Sequence, residues 1–141
     1  MYLIDTNIIS EVRKGRRCNP HVAAWYRQVR DDELFLSVLV IGEIRQGIER
    51  LRPRNPRRAH ALEQWLEELL RSFGDRLLPV DEKVAQNWGR LNARDAFPVV
   101  DSLLAATAEA HGLVLVTRNV KDIERSGVRC VNPFEPAAPI E

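Results

Sequence analysis

Cysteine is almost missing. The 141-residue chain carries only Cys18 and Cys130, and the pair matches no zinc or redox spacing. That excludes a disulfide-stapled scaffold and leaves two reduced thiols, as expected in a cytoplasmic protein. No stretch approaches 18 apolar residues, so no membrane span is expected. The first apolar run is short and carries Asp5, so no secretory signal is expected either. No Gly-rich phosphate loop occurs, and none of Ser10, Ser37, Ser72, Ser102 and Ser126 sits in a nucleophile-elbow motif. His21, His60 and His111 share no metal-ligand spacing. Lysine is scarce: Lys14, Lys83 and Lys121 are the only three among 21 basic residues, and the rest are arginine. The net charge of +1 does not by itself announce a nucleic-acid binder.

What is present is an ordinary globular composition, 45% hydrophobic and 29% charged. The length fits one domain, assigned to residues 1–134, with a Pro-rich tail at 135–141. Apolar runs at 2–4 (YLI), 33–37 (ELFLS), 76–80 (RLLPV), 113–117 (LVLVT) and 127–131 (GVRCV) read as strands. Between them, helical spacing marks 7–15, 20–30, 38–51, 58–73, 81–95 and 98–112, with a short helix or turn in KDIERSG. Ser37 is placed to cap the helix after the second strand. Strands alternate with helices and are apolar throughout. That grammar predicts an α/β domain with a mostly parallel central sheet and helices on both faces. Right-handed crossovers gather the strands' carboxyl ends on one edge, where such sheets place their sites.

Asp5 lies just past the first strand. The LVLVT strand repeats the arrangement, running into Thr117, Arg118 and Asn119 with Asp122 three residues on. Asp101 shares a helical face with Leu104, Ala105 and Ala108, and Glu43 shares one with Leu39, Val40 and Gly47. Both faces are expected to turn inward. A carboxylate on an apolar face is costly unless paired, protonated or metal-bound. Four acids near one edge repel each other, and a hard divalent cation such as Mg²⁺ relieves this. Carboxylates around such a cation fit phosphodiester hydrolysis. Simpler roles stand beside this one: Asp5 as a helix cap, Glu43 paired with Arg45, Asp101 as a first-turn acid, Asp122 as an exposed turn acid. Asp81 and Asp95 read as helix-end acids. Arg50, Arg52, Arg54, Arg57 and Arg58 crowd one stretch and read either as RNA-backbone contacts or as a solvated helix end. Trp25, Trp65 and Trp88 read as core or interface anchors.

The stretches LIDTNIIS, SVLVIGEIRQGI and DSLLAATAEAHGLVLVTRNVKDIERSGVRCVNPF span most of the chain in order. In them the sequence resembles the PIN-domain ribonucleases, specifically VapC- and FitB-type toxins of bacterial toxin–antitoxin pairs. The resemblance assigns Asp5, Glu43 and Asp101 to the acidic metal site, with Asp122 as the fourth acid and Thr6, Thr117 and Asn119 in support. It implies a Mg²⁺- or Mn²⁺-dependent endoribonuclease, a homodimer, and an antitoxin that fills the active-site groove and alone contacts operator DNA. The amphipathic helix at 58–73, with Trp65, is the expected dimer face. One departure stands out: the family often has Thr three residues before the Glu, and here that position is Val40. A hydrogen bond near Glu43 is therefore expected to be absent. Two other readings remain, a catalytically silent binding module of the same fold and a receiver-type phosphoacceptor domain. The second would need an acid pair after the first strand and a Lys after the last core strand. Here Asp5 stands alone and LVLVT is followed by Thr-Arg-Asn.

Overall fold

In the computed structural model, which describes residues 1–136, the chain alternates strand and helix as expected. The strands are β1 (Tyr2–Ile4), β2 (Leu34–Ser37), β3 (Leu77–Leu78), β4 (Val114–Val116) and β5 (Cys130–Val131). The helices are α1 (Thr6–Val12), α2 (Pro20–Gln28), α3 (Val38–Leu51), α4 (Pro56–Phe73), α5 (Glu82–Arg94), α6 (Val99–His111) and α7 (Val120–Glu124). The sheet has the order β3-β2-β1-β4-β5, and its pairings are all parallel.

Local chemistry sets the boundaries. Asp5, Asn19, Ser37, Asn55 and Asp81 each accept a backbone N–H of the helix they precede, so five helices start on a side-chain cap. Asn55 with Pro56 behind it moves the start of α4 two residues ahead of the expected Arg58. Gly112, at φ 64°, ends α6 in the left-handed conformation open to glycine. β3 is shorter than the apolar run RLLPV because Pro79 has no N–H for the ladder. β5 covers only two residues of GVRCV, since Gly127 at φ 80° is still turning. The α1 helix stops at Val12, and a single 3₁₀ turn follows at Gly15–Arg17.

Tyr2, Leu3 and Ile4 of the central strand are essentially inaccessible, as are Leu36, Leu115 and Val116 beside it. Strands buried on both faces explain the unbroken apolar runs. Helices α1 to α4 pack among themselves, as do α5 to α7, which fits the two faces dictated by right-handed crossovers. Trp25 is core, edge-on to Tyr2 with ring centroids 5.2 Å apart. Of the tail assigned to 135–141, residues 137–141 lie outside the described residues. Among the described residues no helix is long and apolar enough to cross a membrane.

The fully buried Leu104 on α6 gives a stability test. Leu104→Ala is expected to cost about 2–5 kcal/mol in urea unfolding. Val99→Ala, at an exposed position of the same helix, is expected to stay within about 0.5 kcal/mol.

Candidate active site

The chain leaves β1 toward β2 on one side, while β4 lies on the other. The crevice between the ends of β1 and β4 is therefore the switch point of the sheet. Asp5 stands there, its N–H still bonded to the Val116 carbonyl at 2.9 Å. It is only 5% exposed. Its Oδ1 accepts the Thr6 N–H at 2.7 Å, and its Oδ2 accepts the Thr117 hydroxyl at 2.8 Å and the Asn7 amide at 3.4 Å. Asp5 thus caps α1 and anchors the site at once; the simpler role is real but incomplete.

Thr117 Oγ accepts the Asn119 N–H at 3.1 Å, so the hydroxyl's single proton is free to point at Asp5. Asn7, in turn, accepts the Arg118 N–H at 3.3 Å. The two Thr- and Asn-bearing segments after β1 and β4 are laced together across the crevice. Asn7 escaped the sequence reading, although its place in Asp-Thr-Asn was the available signal.

Glu43 arrives on α3. The core-facing stripe of α3 is Val40, Ile44 and Ile48, whereas Glu43 is half-buried and Gly47 exposed. The expected inward face is thus rotated, and Glu43 sits on the rim of the apolar stripe. Arg45 does not neutralise it; that guanidinium pairs with Glu49 and Glu63. The hydrogen bond expected to be lost with Val40 is made from another element: the Thr6 hydroxyl donates to Glu43 Oε1 at 2.6 Å. Thr6 therefore links the acid after β1 to the acid on α3.

Asp101 is half-buried in the first turn of α6, on the stripe with buried Leu104, Ala105 and Ala108 as expected. Asp122 is about half exposed and 3.9 Å from Arg125, which pairs more closely with Asp95 at 3.0 Å. Asp81 is the cap of α5, and the histidines are all on the surface.

Asp5 and Asp101 both feel the charge of neighbouring acids. Burial pushes the Asp5 pKa up; its bonds from Thr117 and Thr6 oppose this, and the Asp101 and Glu43 carboxylates push it further up. The Asp101 pKa is raised by burial first, then by Asp122 and Glu43. The charges that shift Asp101 are thus all carboxylates. Among the described residues, Asp5, Glu43 and Asp101 make no ion pair with Lys or Arg. An all-oxygen, uncompensated donor set fits a hard divalent cation. As the side chains lie, no three His, Cys, Asp or Glu among the described residues already form a metal-holding group.

Within the arginine cluster, Arg52 stands apart from the acids. α3 starts at the site edge and runs away from it, so Arg52 lies about 13 Å along the axis from Glu43. Arg52 is also held by Glu49 and Glu63. The basic side chains that do border the acids are Arg118 and Lys121, in a cleft with Asn119 and Asp122, and Arg13 and Lys14, in a groove with Thr6 and Glu43. Trp65, expected at a dimer face, lines that groove with Ile44, Ile48 and Leu62.

The PIN domain family matches residues 2–126. The chain belongs to the PIN-domain family. Among curated relatives, a VapC ribonuclease of Sinorhizobium fredii is 32% identical over 97% of this chain and all of its own length. Toxin FitB of Neisseria gonorrhoeae is 31% identical over 95% of this chain and 99% of its own. Among solved structures, FitAcB from Neisseria gonorrhoeae superposes on this PIN domain with TM-score 0.87 at 30% identity, covering 96% of this chain and 99% of that one. FitAB bound to a DNA fragment gives 0.86 at 29%, with 96% of each chain covered.

The raised pKa values fix a pH effect. Between the ordinary carboxylate range and the raised value, the folded PIN domain binds more protons than the unfolded chain, so stability falls as pH rises through that window. In chelator, Asp101→Asn is therefore expected to raise Tm at pH 7.5 by on the order of 2 °C. The gain should shrink as pH is lowered toward 4. Differential scanning calorimetry at several pH values reads it, and a gain that grew on acidification would contradict the repulsion account.

Proposed function

We propose that the chain is the toxin of a toxin–antitoxin pair and a metal-dependent endoribonuclease that hydrolyses RNA phosphodiester bonds at its acid cluster. One observation carries the reading: at the switch point of a PIN-domain sheet a buried Asp5, bonded by Thr6 and Thr117 and without a cation partner among the described residues, is tied through Thr6 to Glu43. The similarity to proteins named VapC ribonuclease and toxin FitB supports it. Asp5, Glu43 and Asp101 would hold Mg²⁺ or Mn²⁺, with Asp122 completing the set. When bound, the cation supplies charge neutralisation at the phosphodiester and acidifies the attacking water. The chain's own part is orientation. Thr117 and Asn7 fix one oxygen of Asp5, Thr6 N–H fixes the other, and the Thr6 hydroxyl fixes Glu43. Water as nucleophile leaves 5′-phosphate and 3′-hydroxyl ends.

The antitoxin belongs to the same reading. The groove between α1, α3 and α4 has an apolar floor of Ile44, Ile48, Leu62 and Trp65 and opens at Glu43. An amphipathic antitoxin segment would lie there and direct an arginine at Glu43, Asp5 and Asp101, where forked pairing displaces the cation. Operator DNA would be reached through the antitoxin alone. A two-fold pair of toxins, joined through the outer face of α4 where Leu70 is exposed, would match a symmetric antitoxin.

A second reading is a PIN domain kept as a silent binding module. It is favoured by the absence, among the described residues, of three acids already drawn together.

The two readings separate on purified wild type, Asp5→Asn and Asp101→Asn with a 5′-labelled RNA in Mg²⁺ or Mn²⁺. Cleavage to 5′-phosphate ends by the wild type is expected, reduced at least about 100-fold in both variants and abolished by chelator. An inert wild type, or 2′,3′-cyclic phosphate products, would falsify the nuclease. Independently of activity, millimolar Mn²⁺ is expected to raise the wild-type Tm and to leave that of Asp101→Asn unmoved.

A further inference from the structure

Two clefts flank the acids, and their chemistry differs. The groove between α1, α3 and α4 is floored by apolar side chains. The other, of about 350 Å³ beyond the ends of β4 and β5, is lined by Arg118, Asn119, Lys121, Asp122, Asn132 and Glu135. Asp122, the fourth of the acids, is thus part of the wall of this cleft.

We propose that the cleft beyond β4 binds backbone phosphates of the RNA strand next to the cleaved bond, with Arg118 and Lys121 as the contacting cations. The proposal rests on the ribonuclease reading and adds the path of the strand. Three features support it. First, Arg118 is pinned at both ends: its backbone N–H donates to Asn7, which donates to Asp5, and its guanidinium lies 4.3 Å from the Phe134 ring centroid. A cation–π contact uses the face of the guanidinium and leaves its in-plane N–H donors for a phosphate. The side chain is thus held beside the acids without being spent. Second, among the described residues neither Arg118 nor Lys121 makes an ion pair, while Arg52 makes two. An exposed unpaired cation reaches a phosphate without first breaking a bridge. Third, carboxylates alone repel a polyanion. The two cations and the amides of Asn119 and Asn132 provide the nearest attraction on this side of the cluster. Glu135 opposes them within the same cleft.

The test is fluorescence anisotropy of a labelled 20-nucleotide single-stranded RNA of mixed sequence, in EDTA so that nothing is cut. Full-length wild type, Arg118→Gln/Lys121→Gln and Arg54→Ala/Arg57→Ala are compared across a salt series. Two lost phosphate contacts lower the slope of log K against log salt by about 1.4 for a single strand. The Arg118/Lys121 pair is expected to show that drop with affinity weakened about tenfold or more, and the Arg54/Arg57 pair a smaller loss. Lys121→Gln alone touches an exposed side chain and is expected to lower the slope by about 0.7. It keeps the test decisive if the double variant unfolds. Unchanged binding and slope in these variants, a larger loss at Arg54/Arg57, or a wild type that does not bind RNA overturns the proposal. Cleavage in Mn²⁺ separates this from the nuclease. RNA that is cut while Arg118 and Lys121 are dispensable removes only the cleft. RNA that is bound through the cleft but never cut removes only the nuclease.

Discussion

A carboxylate that is almost fully buried and has no cation beside it is the demand around which this molecule is arranged. Asp5 meets it with oriented hydrogen bonds rather than with a charge. One donor comes from the first turn of α1, one from the residue after β4, and one from Asn7. The donors come from both sides of the switch point, so the same bonds that oppose the rise in the Asp5 pKa also fix the ends of β1 and β4 relative to each other. Glu43 is then placed by Thr6, a neighbour of Asp5, so the position of α3 at the site depends on the same short segment. The remaining acids inherit their places from the helices that begin or end at that edge.

Such a site works against the fold that carries it. Acids that raise one another's pKa favour the unfolded chain at neutral pH, and the compensation lies elsewhere. The central strands and the inner face of α6, with Leu104, Ala105, Ala106 and Ala108, are fully packed. Arg45 and Arg52 bind Glu49 and Glu63, which joins α3 to α4 on the solvent side. Each such exposed pair adds little alone, though a network spreads the entropic cost of ordering its side chains. Arg52 is thus structural, while the cations that border the acids come from the end of α1 and the segment after β4.

Much of this was legible in the sequence because buried parallel strands leave an unmistakable trace. Apolar runs ending in Asp5 and Thr117 gave the sheet edge, and the stripe of Leu104, Ala105 and Ala108 placed Asp101. The cap at Ser37 was readable from residue type, whereas the Asn55 cap that starts α4 at Pro56 was not read. Three other things were not legible. The short lengths of β3 and β5 depend on pairing partners and on turns at Pro79 and Gly127. The facing of Glu43 depends on which stripe of α3 meets the sheet, and Val40, Ile44 and Ile48 won that competition over Leu39 and Gly47. The Thr6–Glu43 bond joins residues 37 positions apart, and no local pattern announces a hydroxyl that replaces a missing neighbour.

The polarity of the parallel sheet also has a practical side. Met1 precedes β1, and its carbonyl accepts the Val114 N–H at the amino-end edge. Asp5 lies across the strand, roughly 13 Å away by strand rise. β5, by contrast, ends at the acids' own edge, and Asn132 and Glu135 already line a cleft there. A purification tag or fluorophore placed ahead of Met1 would hang from the far side of the sheet. A dye attached through a cysteine placed at Glu135 would instead sit in the cleft with Asp122, where it competes for the same space as anything the protein binds.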